Sequence, residues 1–293
     1  MIRPILTSLL ILVIATTHAA AEAVPVKIVP GVGITRGGEP YFIKGAAGDK
    51  HLDELVATGG NSIRTWTTNG LGPILDAAQQ RGLTVCAGIW LEPECHWFSY
   101  AKPEHCKRQA ERVKKEVLQH RDHPALLFWG IGNEAEGDGN NAAYWKQLEV
   151  LAKTVKEIDP AHPTFTAVAG LQPAKVAGIQ AHTPSLDFVG INTYGALYGL
   201  RDYLAEANWT RPWVVTETEP AAFGKAPAPR GTRPSSQLAA TRRVTSSKAT
   251  KPPSSLLATA GAVTYSFGAR SKKPPRPGSA SSPKRVNPPP SWT

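Results

Sequence analysis

Seven short apolar runs, separated by stretches of helical periodicity, dominate the chain between residues 41 and 216. They predict strands at residues 41–44, 62–66, 84–91, 125–131, 164–169, 186–192 and 213–216. The intervening helices are predicted near residues 50–58, 74–81, 102–119, 144–158, 173–179 and 200–207. Strands that are apolar on both faces and alternate with helices indicate a parallel sheet covered by helices.

Two α/β architectures fit seven such units: a doubly wound sheet, or an eight-stranded (β/α)8 TIM barrel that lacks one unit. No glycine-rich nucleotide-binding fingerprint follows the first predicted strand, which disfavours the doubly wound sheet. In a TIM barrel the functional residues collect at the carboxyl ends of the strands. This chain has polar residues at those ends, namely Arg64, Asn133, Glu134, Asn192, Tyr194 and Glu217. We therefore predict an incomplete TIM barrel over residues 25–219.

Charge is divided unevenly between this body and a tail. The formal net charge is +10, yet residues 1–219 contain all 23 acidic residues and only 20 of the 33 basic ones, and so carry −3. Residues 220–293 hold the other 13 basic residues, 13 of the 26 prolines and no acid. This composition predicts a disordered tail outside the fold. Its few aromatic residues give little support to specific nucleic-acid binding.

The first 21 residues have the pattern of a secretory signal peptide. Arg3 gives a positive start, residues 5–15 form a largely apolar run, and three alanines at 19–21 offer a cleavage site. The apolar run is short for a membrane-spanning helix, so we predict no stable membrane anchor and a secreted or periplasmic location. In an oxidising compartment Cys95 and Cys106, which lie close together in the chain, could form a disulfide. Cys86 is predicted to be a buried free thiol.

Glu134 and Glu217 each end a predicted strand, so their side chains would converge over the mouth of a barrel. Such a pair suits hydrolysis of a glycosidic bond, in which one carboxyl protonates the leaving oxygen and the other serves the sugar carbon. Each has a competitor two residues further on, at Glu136 and Glu219. No metal-ligand spacing accompanies them, and we predict neither a metal nor a cofactor.

Four segments around these carboxylates resemble the clan A glycoside hydrolases, which include families two and five. The segments are GNSIRTW at residues 60–66, FWGIGNE at 128–134, DFVGINTY at 187–194 and WVVTE at 213–217. They are similar to the second, acid/base, sixth and nucleophile strands of that clan, and they come in its order. The resemblance implies a TIM barrel that hydrolyses β-linked oligo- or polysaccharides with retention of configuration.

The resemblance also implies a role for each matching residue. Glu134 would be the general acid and then the base, Glu217 the nucleophile, and Arg64 the cation that keeps Glu217 ionised. Tyr194 would donate a hydrogen bond to Glu217, and Asn133 would hold the sugar 2-hydroxyl. Further candidates for contact with the sugar are Trp66, Trp90, His96, Trp97, Phe98 and Asn192.

After the nucleophile strand the chain departs from the family. A barrel still needs a helix, an eighth strand and a closing helix, but residues 220–293 offer prolines, serines and basic clusters, and Glu219 stands where the family usually has glycine. Codons for residues 221–227, read one base out of step, permit GFWEGP, and those for 261–283 permit a string that begins GSYVFLWGE. Both strings resemble the turn and the eighth strand of the family. We therefore hypothesise that the reading frame slipped near Thr218.

The sequence thus predicts a glycoside hydrolase whose activity is impaired or lost in this chain, because an open barrel leaves the backbone of two edge strands unpaired. Two alternatives stay open: a non-catalytic glycan-binding barrel, and a secreted protein whose basic tail binds anionic polymers. The sequence leaves the sugar, exo or endo action and the oligomeric state undetermined.

Overall fold

The computed structural model describes residues 22–29, 33–194, 197–218 and 262–264. Its strands are β1 Val26–Val29, β2 Gly33–Arg36, β3 Glu39–Pro40, β4 Lys44–Ala47, β5 Ser62–Arg64, β6 Thr84–Ile89, β7 Leu126–Asn133, β8 Thr164–Ala169, β9 Phe188–Asn192, β10 Trp213–Glu217 and β11 Ala262–Thr264. Its α-helices are α1 Leu52–Ala57, α2 Leu71–Gln79, α3 Pro103–His120, α4 Ala142–Ile158, α5 Pro173–His182 and α6 Leu200–Glu206, and a 3-10 turn lies at Leu197–Gly199.

Seven strands, β4 to β10, lie side by side in chain order and pair in parallel. An α-helix follows each strand from β4 to β9, which is the repeating unit of a TIM barrel. The predicted fold class is therefore confirmed. Strand β11 lies at the remaining position, where it pairs with β4 and contacts β10. It runs antiparallel to β4, whereas every strand of a complete TIM barrel is parallel to its neighbours.

The two strands that carry the predicted carboxylates extend further than their apolar runs indicate. Strand β7 continues to Asn133 and β10 continues to Glu217. In both, the pairing register shifts near this end, between Gly130 and Asn133 and between Val215 and Glu217. Such bulges redirect side chains and are common next to active sites.

An antiparallel sheet of β1, β2 and β3, absent from the sequence-based prediction, lies at the amino end of the barrel. The Val26 N–H donates to the carbonyl of Ala161, just before β8, and Arg36 donates to the carbonyl of Pro124, just before β7. Tyr41 packs there too, and its hydroxyl donates to the carbonyl of Asn61 at 3.0 Å. The predicted first strand, 41–44, is wrong for this reason: Tyr41 and Ile43 pack in the core at the amino end, Phe42 is exposed, and β4 begins only at Lys44.

Three phenylalanine rings fill the barrel interior. Phe165 and Phe188 stack with centroids 4.8 Å apart, and Phe128 meets Phe188 edge-on at 4.9 Å. All three are fully buried, and each such burial stabilises the fold by about 1.5–3 kcal/mol. Gly130 leaves room for them, since a Cβ there would lie 2.7 Å from Cζ of Phe165. A larger apolar cluster fills the layer between the sheet and the helices.

All three cysteines are free thiols. Cys86 is buried as predicted, and burial raises the pKa of its thiol to about 12. Cys95 and Cys106, which could form a disulfide, are not bonded to each other, and Cys106 donates to the carbonyl of Tyr100 at 3.4 Å.

The predicted signal peptide, residues 1–21, lies outside the described residues, as does the tail from Glu219 onward except for β11. Export and the disorder of the tail therefore stay predictions. In the part of the chain that the structure describes, no helix is long and apolar enough to cross a membrane.

Candidate active site

Glu217 ends β10, and its carboxylate accepts three hydrogen bonds. Arg64 and Trp66, at the end of β5 and just beyond it, donate to Oε1 at 2.7 and 2.8 Å. The Tyr194 hydroxyl, in the loop after β9, donates to Oε2. Burial by itself would raise the pKa of Glu217, but these hydrogen bonds and the Arg64 charge outweigh it and hold the pKa below its usual value. Glu217 is therefore kept as a carboxylate, the form that a nucleophile needs.

Arg64 connects the strand that carries Glu217 with the strand that carries Glu134. It is buried, and its Nη2 donates to the side-chain oxygen of Asn133 at 2.8 Å while its Nη1 binds Glu217. A planar guanidinium can hold two acceptors in fixed geometry, which a lysine cannot. One side chain thus sets the relative position of β7 and β10 at the carboxyl end of the barrel.

Glu134 directly follows β7 in a left-handed backbone conformation, with φ 53°, which is uncommon for a residue other than glycine. Its backbone N–H donates to the carbonyl of Ala167 at 2.8 Å, and its carboxylate accepts from Nδ2 of Asn192 at 2.7 Å. Among the described residues this is the one side-chain hydrogen bond to the Glu134 carboxylate, against three at Glu217. The two carboxylates therefore lie in different environments, as an acid/base and a nucleophile require.

Asn192 is predicted to contact the sugar, but the structure gives its side chain partners within the protein. The side chain is buried, accepts a hydrogen bond from Thr216 at 2.7 Å and donates to both Glu134 and Asn133. Its position therefore suits orientation of Glu134. The amide nitrogen of Asn133 makes no hydrogen bond with any described residue, which leaves it available for a sugar hydroxyl.

The tryptophan and phenylalanine candidates separate into three groups. Trp66 donates its indole N–H to Glu217, so it acts on the carboxylate as well as lining the site. Trp90 and Trp97, in the segment after β6, are 45% and 67% exposed and present apolar faces to solvent. Phe98 is buried against Tyr100, which makes it a core residue and corrects its prediction as a sugar contact. His96 is exposed on the same segment, and no hydrogen bond joins it to either described carboxylate.

An ion-pair network that was not predicted from the sequence joins this segment to α3. Arg112 donates to the carbonyl of Trp90 at 2.7 Å and to Glu92 at 3.2 Å. Gln109 donates to Glu92 at 2.7 Å, and the backbone N–H of Tyr100 donates to Glu94 at 2.9 Å. Glu92 therefore holds the backbone behind Trp90, and Glu94 holds the end of the same loop. The partners of Glu92 lie 17 and 20 residues further along the chain, so the pairing leaves no local sequence signal.

Of the two competing carboxylates, Glu136 and Glu219, the structure describes only Glu136. Glu136 is buried and paired with Lys175 at 2.6 Å, so its charge is compensated within the protein. Glu219 lies outside the described residues. No group of three or more His, Cys, Asp or Glu side chains in the described part of the chain is arranged to hold a metal ion.

Known proteins match the part of the chain that carries these side chains. The family described as "Glycosyl hydrolases family 2, TIM barrel domain" matches residues 73–224, just over half of the chain, and this range includes both Glu134 and Glu217. A Beta-glucuronidase of Pongo abelii is 28% identical over 154 residues, covering 51% of this chain and 22% of that protein. A Beta-galactosidase of Vibrio vulnificus (strain CMCP6) is 25% identical over 239 residues, covering 69% of this chain and 21% of that protein. The chain thus spans about a fifth of the length of these relatives.

A solved structure shows the same fold. The glycosyl hydrolase family 2 member from Bacteroides cellulosilyticus superimposes with a TM-score of 0.53 at 20% identity, covering 67% of this chain and 26% of that one. Seven parallel strands, carboxylates at the ends of β7 and β10, and the family match over residues 73–224 lead to one conclusion. The chain belongs to glycosyl hydrolases family 2 and contains the TIM barrel domain of that family.

Proposed function

We propose that this chain carries the catalytic domain of a retaining β-glycosidase, with Glu217 as the nucleophile and Glu134 as the acid/base. The contrast between the two carboxylates supports this most strongly. Three donors, including the Arg64 cation, lower the pKa of Glu217, whereas Glu134 is held by the neutral amide of Asn192. An ionised carboxylate suits attack on a sugar carbon, and a carboxyl without a cationic partner suits proton transfer.

In the first step, Glu217 would attack the anomeric carbon while the proton of Glu134 passes to the glycosidic oxygen. The bond between that oxygen and the anomeric carbon breaks, and a glycosyl ester forms on Glu217. In the second step, Glu134 would take a proton from water, whose oxygen displaces Glu217 from the sugar. The amide nitrogen of Asn133 would donate to a sugar hydroxyl, and Trp90 and Trp97 would offer faces for the rings.

The relatives named above are a Beta-glucuronidase and a Beta-galactosidase, so we propose a β-linked glycan as the substrate class. The signal-like segment at residues 1–21 supports an exported enzyme that meets this substrate outside the cytoplasm.

Hydrolysis of aryl β-glucuronides, β-galactosides and β-glucosides tests the proposal. We expect Glu217→Ala and Glu134→Ala each to lower kcat/KM at least about a hundredfold, and Glu39→Gln, at the amino end of the barrel, to have no effect. Azide should then give an α-glycosyl azide with Glu217→Ala and a β-glycosyl azide with Glu134→Ala, because it replaces the nucleophile in one and the activated water in the other. Intact glycan binding without hydrolysis would favour the non-catalytic barrel.

The last quarter of the chain decides whether this site works. The family match ends at residue 224, and the eighth position holds three antiparallel residues, which supports a slipped reading frame. We expect the coding DNA, read one base out of step after codon 217, to encode an uninterrupted eighth strand. The chain corrected in this way should be the more active of the two. DNA that does not permit those residues would exclude the slip.

A further inference from the structure

The backbone at Glu134 needs external support. A left-handed conformation costs a residue with a Cβ about 1–2 kcal/mol, and such strain persists only where the surroundings over-determine it. One support comes from the residue itself, whose N–H donates to the carbonyl of Ala167 in β8. A second comes two residues later, at Glu136.

Glu136 holds the far side of the same turn. Its Oε1 accepts from the N–H of Ala169 at 3.0 Å and from Nζ of Lys175 at 2.6 Å, and Lys175 also donates to the carbonyl of Ala169 at 2.8 Å. The backbone from Glu134 to Glu136 is thereby fixed at both ends to residues 167 and 169 of one strand.

The surrounding chain encloses this ion pair. The side chains of Glu136 and Lys175 are 0% and 4% exposed. Gly139 is required beside it, because a Cβ there would lie 2.7 Å from Cγ of Lys175. The carbonyl of Gly139 accepts from the indole of Trp145 at 2.8 Å, which ties the loop to α4. Lys175 therefore enters the turn from α5 and is covered by the loop that follows Glu134.

We propose that Glu136 and Lys175 are positioning residues, whose buried ion pair keeps the Glu134 carboxyl in line with the leaving group. This rests on the proposed function of Glu134 as the acid. A buried ion pair often adds little stability compared with apolar side chains of similar size. Its role here is therefore to hold the backbone that follows Glu134 in one conformation. The Lys175 ammonium also compensates the negative charge of Glu136, which lies two residues from Glu134.

The dependence on the leaving group tests this role. The double variant Glu136→Leu/Lys175→Met removes both charges together and so avoids a lone buried charge. We expect it to lower kcat/KM at least about tenfold for a phenyl β-glycoside, whose leaving group needs a proton from Glu134. The loss should be less than about twofold for a 2,4-dinitrophenyl β-glycoside, whose leaving group needs none. Lys156→Met is the matched control, since Lys156 makes a 2.6 Å ion pair with Asp187 at the amino end of the barrel. An equal loss on both substrates, or no loss, would overturn the proposal.

Amide exchange in the full chain gives a second readout that does not need activity. The double variant should speed exchange at Glu134, whose N–H is bound to Ala167, and leave the amides of β9 unchanged. Unchanged exchange at Glu134 would refute the positioning role even if neither substrate is cleaved. Inactivity of the parent chain, with faster exchange at Glu134 in the variant, would instead count against the proposed function.

Discussion

Arg64 and Glu217, 153 residues apart in the chain, are joined by a buried 2.7 Å ion pair at the carboxyl end of the barrel. The pair joins the end of β5 to the end of β10, and it also lowers the pKa of the proposed nucleophile. Structure and chemistry therefore depend on the same contact.

Replacement of Arg64 should affect both stability and catalysis. We expect Arg64→Met to destabilise the fold by about 3 kcal/mol, because it leaves the Glu217 charge largely buried and unpaired. Arg64→Lys should keep most of the stability but lower kcat/KM, since a lysine cannot bind Asn133 and Glu217 together. Urea denaturation and aryl glycoside kinetics measure the two effects. Arg81→Met, which removes an exposed pair with Asp53, is the control and should leave the midpoint almost unchanged.

Tyr194→Phe should shift the pH profile of kcat/KM. The active enzyme needs ionised Glu217, and the Tyr194 hydrogen bond helps to lower the pKa of Glu217, so its loss raises that pKa. The acid limb should move to higher pH by roughly half to one pH unit. Tyr194 itself stays protonated over the whole acid limb, because its hydrogen bond to Glu217 and its burial raise its pKa to about 12. Tyr203→Phe is the control, and an unmoved acid limb in Tyr194→Phe would contradict the assignment.

The tryptophans should separate into two kinetic classes. Trp66→Phe keeps an aromatic face but removes the donor to Glu217, so we expect kcat to fall about tenfold or more with little change in KM. Trp90→Ala and Trp97→Ala remove exposed faces and should mainly raise KM for an oligosaccharide. Steady-state kinetics on one oligosaccharide measure both classes. The same changes in kcat and KM in all three variants would contradict the division into two classes.

Gly130→Ala should destabilise the barrel by about 1–3 kcal/mol, because the new Cβ would meet the stacked ring of Phe165. Gly72→Ala is the matched substitution, since its Cβ would be at an ordinary 3.6 Å from His120 and it lies within α2. There the stability should be unchanged or increased by up to about 1 kcal/mol. Thermal unfolding compares the two, and equal effects would contradict the packing argument.

Much of the fold follows from local pattern. The apolar runs around Val85, Leu126 and Val189 need cover on both faces, so they predict parallel strands between helices, and the structure has them. The antiparallel sheet at the amino end was not predicted, because its strands are short and prolines and glycines interrupt the apolar residues around Val26 and Ile34. Phe98 could not be told from a surface aromatic, since its burial depends on contacts made by the whole loop with α3 and α4.

The sequence by itself determined the order of the strands and which carboxylates end them, because strand period and residue type are local properties of the chain. Tertiary structure alone decided what each carboxylate touches. Glu134 and Glu136 are two residues apart, yet one faces Asn192 at the mouth of the barrel and the other is buried against Lys175. The left-handed backbone at Glu134 turns the two side chains in different directions. Contacts with β8 and α5 support this backbone conformation.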